Sequence, residues 1–195
     1  MATERVTDRS VLRFAEAVKE RFAFLETLGF RCVRSEATFV RFESSRVAIN
    51  IFHGRHSFEI DLEIEPAQSP TDVYSFSEIL RLVDREQAEH SRSYATHTAQ
   101  GVVEGVRQLA ELFQWCIATG ILNDDQLFSR LKLQKKELVK NYALETELFQ
   151  ARRTAEAAWR TKDYAAVVKA LKPLRAALTA TEAGKLEYAE KQCGE

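Results

Sequence analysis

His53 and His56 flank Gly54-Arg55 in the stretch IFHGRHSFEI, residues 51–60, and just beyond them begins an alternating run of acids, Glu59, Asp61, Glu63 and Glu65. Imidazoles and carboxylates are the groups that hold divalent metals and move protons, so a metal-dependent hydrolase would place its chemistry here. A two-residue hairpin loop at Gly54-Arg55, with Gly54 opening a type II′ turn, makes the two histidines cross-strand neighbours with Cβ atoms about 5 Å apart. Zinc needs three or four protein ligands, however, and no further histidine or cysteine stands at a supporting spacing. His90 and His97 lie in a polar stretch well downstream. The metal site built on His53 and His56 is therefore the alternative reading, and the end of a hairpin is the main one. No cofactor is implied, because G-x-x-x-x-G-K-[ST], G-x-G-x-x-G, G-x-S-x-G and H-E-x-x-H are all missing from the sequence.

What would position these side chains is a sheet. Between residues 30 and 65 the apolar residues recur every second position, the period of a half-buried strand. TFVRFESSRVAINIF reads as two strands turning at Ser44-Ser45, with Phe42 opposite Val47, Val40 opposite Ile49 and Thr38 opposite Ile51. The second hairpin then sets Ile51 against Phe58, Ile49 against Ile60 and Val47 against Leu62. RCVR, residues 31–34, adds a fourth strand. One face of this meander is apolar. The other carries Glu59, Asp61, Glu63 and Glu65, with Arg41, Glu43, Arg46 and Asn50 from neighbouring strands, and Arg46 falls between Glu43 and Glu63. A charged face of mixed sign with isolated aromatics suits protein docking, so Phe39, Arg41, Arg46, Asn50, Phe52, Glu59, Asp61 and Glu63 are the expected partner-binding residues.

Helical signals surround the sheet. Val11, Leu12, Phe14, Ala15, Val18, Phe22, Leu25 and Leu28 make one stripe of a helix over about 8–28, capped by Thr7 or Asp8 and ended by Gly29. Pro66 and Pro70 stop the sheet, and Ser75 with Glu78 forms a capping box for a short helix. A polar stretch, 85–98, reads as a linker. Beyond it Val102, Val106, Leu109, Phe113 and Cys116 form a helical stripe ended by Gly120, in which Gly101 and Gly105 permit close packing. Asn123 with Asp124 and Asp125 signals another helix start. Neither Gly nor Pro occurs between 121 and 172, so a very long helix with a break near TKDY, 161–164, is expected, and Pro173 ends the next one. Leu131, Leu138, Tyr142 and Phe149 share one side of the long helix, a stripe to be buried either in a homodimer or against the preceding helix. The expected fold is α+β, a helix packed on a three- or four-stranded antiparallel meander followed by an all-helical region. The expected modules are 1–84 and 99–195, joined by 85–98.

The 195 residues include 28 basic and 29 acidic ones, a formal net charge of -1, so no global field draws the chain to nucleic acid or anionic lipid. Three widely spaced cysteines, the charged start and the lack of a long apolar run point to a reduced, cytoplasmic setting away from membranes.

Two resemblances bear on function. Residues 20–65, containing FAFLETLGFRCVRSEATFVRFESSRVAINIFHGRHSFEIDLEIE, resemble small bacterial α+β proteins of the toxin-immunity type. That implies a non-enzymatic inhibitor or binding protein, with no site residues to transfer. Residues 155–192, with Lys162-Asp163-Tyr164 before a helix, resemble a single tetratricopeptide helix pair, although Thr161 replaces the usual Gly and Arg160 an apolar residue. The expectation is a cytoplasmic bacterial protein without catalysis that binds another protein.

Overall fold

The computed structural model describes residues 9–68 and 72–194 and has the expected α+β architecture. The proposed caps Thr7 and Asp8, and the stop at Pro70, lie outside the described residues. The N-terminal stripe is helical but interrupted. A 3-10 turn, Arg9–Leu12, leads to α1, Phe14–Arg21, and then α2, Phe24–Thr27. Arg13 sits in left-handed backbone between the first two, and the link to α2 is tightened by a bond from Leu25 N–H to the Phe22 carbonyl. These breaks keep Leu12, Phe14, Val18, Phe22 and Leu25 all buried, which a straight helix of this stripe width does not require. Gly29, at φ 83°, ends the segment as expected, with Phe30 N–H bonded to the Leu25 carbonyl and Gly29 N–H to that of Glu26.

The sheet follows. β1, Arg31–Glu36, β2, Phe39–Glu43, β3, Val47–His53, and β4, Glu59–Pro66, pair antiparallel in sequence order. β5, Tyr74–Ser75, and later β6, Tyr94–Ala95, both pair with β4. The apolar face is the expected one, with Val40, Phe42, Ile49, Ile51, Ile60, Leu62 and Ile64 buried. The register is not. Val40 opposes Ile51 and Phe42 opposes Ile49, a slip of two from the expected pairing. A two-residue loop demands positive φ, which neither Ser44 nor Ser45 adopts; instead the Ser44 hydroxyl accepts from Val47 N–H at 3.1 Å and Arg46 N–H at 3.3 Å inside a longer turn. The second hairpin slips by four, with Ile51 opposite Leu62 and His53 opposite Ile60. Its loop spans 54–58 and closes with Gly54 N–H on the Glu59 carbonyl at 2.8 Å. Phe58, not Gly54, carries the positive φ, and a Cβ at 54 would fall 2.3 Å from Ser57 Oγ, so a larger residue there would have to turn that hydroxyl aside. Both slips are even, so every side chain stays on its expected face.

Ser75 opens α3, Phe76–Val83, through the anticipated capping box, worth about 1 kcal/mol. The stretch expected as a linker is structured. Asp84 caps α4, Arg85–His90, and β6 completes an outer edge on β4. α5, Ala99–Ile117, buries Val102, Val106, Ala110, Phe113 and Cys116 in the same core as the sheet. Gly105 lets it approach, because a Cβ there would meet Tyr94 Cδ1 at 2.6 Å and Ile60 Cδ1 at 2.8 Å. After Gly120 and a 3-10 turn, Asp124 rather than Asn123 supplies the cap, accepting from Gln126 N–H at 2.8 Å.

α6, Leu127–Arg160, is a single helix of 34 residues. It ends at the expected place, where Lys162 turns left-handed and Asp163 caps α7, Tyr164–Leu171. Pro173 forces a 3-10 segment, Lys172–Ala177, before α8, Ala180–Cys193. Two units result, 1–134 and 135–195, so the boundary lies inside α6 rather than at the expected 85–98. The second unit has its own core of Ala151, Ala155, Ala158, Val167, Val168, Leu171, Leu186 and Ala189.

Candidate functional site

The histidine pair does not assemble. His53 is buried at the end of β3 and faces Ile60 across the ladder, whereas His56 is exposed in the loop. His53 Nε2 lies 3.0 Å from the Thr96 carbonyl and its Nδ1 3.0 Å from Arg9 Nη2. A neutral ring that donates from Nε2 and accepts at Nδ1 satisfies both, and burial, with Arg9 close by, lowers its pKa below the ordinary 6.5. Arg9 also donates to the Gly54 carbonyl at 2.9 Å and lies 4.3 Å from the centre of the Phe58 ring, which in turn packs on His97 at 3.9 Å. Arg9 and His53 thus tie the chain start to the hairpin loop. Arg9 had no signal in the sequence. Among the described residues no group of three or more His, Cys, Asp or Glu could hold a metal ion.

The polar sheet face is partly closed. Ala48, Asn50 and Glu65 are buried on it. Arg41 donates to Asn50 Oδ1 at 2.9 Å, to Glu43 at 3.2 Å and, in a very short contact, to Glu65. Phe39 and Phe52 are direct cross-strand partners, both half-buried, and the Arg34 guanidinium lies 4.8 Å from the Phe39 ring centre. Arg46 does not sit between Glu43 and Glu63; the longer turn carries it to Asp125, at 2.8 Å. Glu59 is exposed beside Ala95. Asp61 accepts from its own neighbour Leu62 N–H at 2.7 Å and from Ser93 at 3.4 Å, and burial raises its pKa. Glu63 is raised too, first by burial and then by Asp61, Glu65 and Glu78. Seven of the eight expected residues share a face, Arg46 having left it, but Arg41 and Asn50 are engaged within the chain and a cleft of about 250 Å³ beside Asp61 is below the size of ordinary ligand sites.

The second unit offers more surface. All thirteen residues from 135 to 147 of α6 are exposed. Leu138, Val139 and Tyr142 stand on one side of this stretch, 38%, 65% and 74% exposed, and Phe149 follows at 58%. Of the expected stripe only Leu131 is buried, in the core of the first unit. The opposite side of α6, through Leu148, Ala151, Ala155 and Ala158, is the side its own unit uses for packing. Phe149 also forms the lip of a groove of about 560 Å³ floored by Val167, Leu171 and Ala155.

Family models, curated proteins and solved structures were compared with this chain, and none matches. The groove's rim carries four bases and two acids, paired as Arg152 with Glu182 at 2.6 Å and Lys185 with Glu156 at 3.2 Å, while Arg153 lies over the Phe149 ring at 5.9 Å. These pairs are solvent-exposed and hold only weakly, so they leave the rim adaptable. A trio of Trp159, Tyr164 and Tyr188, edge to face at 5.5 to 5.8 Å, stiffens the far end of the unit. The thiol of Cys116 is buried and pushed up to about 11, while Cys32 and Cys193 are exposed and unbridged. Among the described residues no helix is long and apolar enough to cross a membrane.

Proposed function

We propose that the chain acts by stoichiometric binding to another protein, without turnover, and that the second unit carries the binding surface. One observation bears the weight: an exposed stretch of α6 places Leu138, Val139 and Tyr142 in water and leads through Phe149 into an apolar groove. Aromatic and aliphatic side chains clustered next to a concave apolar patch are the anchors that interfaces bury, and a rim of salt-bridged charges is the usual surround. On the sheet, the half-buried Phe39 and Phe52 offer less apolar area, and Arg41 is already satisfied by Asn50 and Glu65.

The test is affinity capture with the full chain against a Leu138→Glu/Tyr142→Glu variant, whose changes fall on exposed positions. A protein retained in one-to-one amount by the wild type and lost from the variant, with equal helix content by circular dichroism, supports the reading. Identical retention by both, or a variant in which substituting Phe39 and Phe52 abolishes capture while the α6 changes do not, moves the site elsewhere.

A further inference from the structure

We infer that the occupant of the α6 stripe is a second copy of this chain, docked antiparallel along residues 135–145. The inference rests on the binding reading above and names its partner.

Lys135, Leu138, Tyr142, Glu145 and Phe149 follow one another at steps of three, four, three and four, the spacing of a seam between two helices. Val139 flanks that seam. The seam faces away from the alanine side that α6 packs against its own unit, so a second helix reaches it without displacing the core.

Charge selects the direction. Residues 135–140 hold Lys135, Lys136 and Lys140 against Glu137, while 141–147 hold Glu145 and Glu147 and no base. Parallel copies in register would set Lys135 beside Lys135 and Glu145 beside Glu145. An antiparallel pair centred on Lys140 sets Lys135 opposite Glu145 and Leu138 opposite Tyr142, twice each by symmetry. Opposed helix dipoles favour the same direction. A twofold pairing of one surface with itself is also the commonest way a soluble chain associates, since the same patch serves both partners.

The size of the seam sets the strength. With Lys140 at the centre, residues 135–145 of the two copies overlap, about 16 Å of helix, which places the contact at the small end of specific interfaces and makes the association a weak one.

Sedimentation velocity on the full chain from about 5 to about 500 micromolar covers a weak association of this kind. The wild type is expected to shift from monomer to dimer across that range. Lys135→Glu/Lys136→Glu makes position 135 acidic like position 145, and Glu145→Lys/Glu147→Lys makes position 145 basic like position 135. Each variant alone is expected to dimerise about tenfold or more weakly, because like charges then face each other. An equimolar mixture of the two regains the dimer, a result that general misfolding of either variant does not give. Tyr142→Glu, which leaves these charges in place, is expected to weaken the dimer as well. A wild type that stays monomeric throughout, or a dimer indifferent to both charge reversals and to Tyr142→Glu, overturns the second copy as occupant. The capture experiment separates this from the broader reading. A monomeric chain that still loses a partner with Leu138→Glu/Tyr142→Glu binds a different protein, whereas a monomer with no such loss removes both.

Discussion

Replacing Arg41 by methionine removes the cation paired with a carboxylate that is 5% exposed, that of Glu65. Stripping one partner from a buried pair costs about 3–5 kcal/mol, because the remaining charge has neither water nor counter-charge. Arg41 itself is 20% exposed, so part of the pair's attraction is already screened and the lower figure applies, about 3 kcal/mol. The buried amide oxygen of Asn50 loses a 2.9 Å donor at the same time, adding about 1 kcal/mol. Urea unfolding, with an m value of about 2 kcal/mol/M for a unit of this size, should show a midpoint lower by about 1.5–2 M. Trp115 reports on the first unit once Trp159 is changed to phenylalanine, so the measurement follows the unit that holds Arg41. The partner variant decides the cause. Arg41→Met/Glu65→Leu should return to within about 1 kcal/mol of wild type, since two apolar side chains of similar size leave no orphaned charge. A single variant that loses less than about 1 kcal/mol, or a double variant as weak as the single one, refutes the claim that Glu65 is held by Arg41 in a dry setting.

Two other outcomes follow from the packing and titration of the same core. Gly184→Ala should stabilise the second unit by about 0.5–1 kcal/mol, because an added Cβ meets nothing within 4 Å on an exposed helix, whereas Gly105→Ala should destabilise the first by about 1–2 kcal/mol as the same methyl strikes Tyr94 and Ile60; thermal melts that move the two variants in one direction contradict the packing. His53 is held neutral, with a folded pKa below its ordinary 6.5, so the unfolded chain takes the proton first and stability is lost as pH falls through about 6.5 toward the folded value. The urea midpoint of the first unit should therefore drop between pH 7.5 and 5.5 in the wild type and less in His53→Gln, and equal slopes in the two would contradict a buried neutral ring.

Face assignment was readable in the sequence because strand period is two, and two turns that slipped by two and by four residues preserved it for Val40, Ile49, Ile60 and Leu62. Register was not readable, since it depends on backbone angles that Ser44, Ser45 and Gly54 decline to adopt and Phe58 accepts. The helix ends at Gly29, Gly120 and Lys162-Asp163 were legible because capping and left-handed termination are local. The supposed linker misled for the opposite reason. Asp84 with Gln87 is a local cap that composition concealed, and Tyr94 joins the sheet through a pairing 34 residues away in sequence. Of the candidate sites, the histidine pair rested wholly on a register and dissolved with it, while the link from Arg9 to His53 spans 44 residues and has no sequence signature. The stripe on α6 needed only helical spacing, so Leu138, Tyr142 and Phe149 share a side as read.

The outermost strand, β1, has all six of its residues exposed, and among the described residues no strand pairs with its outer edge. An open row of amide and carbonyl groups is a template on which further chains can add, the first step of sheet polymerisation. Here Arg31, Arg34 and Glu36 put charge on the faces of that edge strand, and an irregular step between Cys32 and Arg34 breaks the flat repeat a newcomer would have to match. Only Val33 presents a large aliphatic group to it, 55% exposed. Charge and an uneven repeat on an edge strand disfavour edge-to-edge addition, a protection that matters most in a chain of nearly balanced charge, with little net repulsion to hold copies apart.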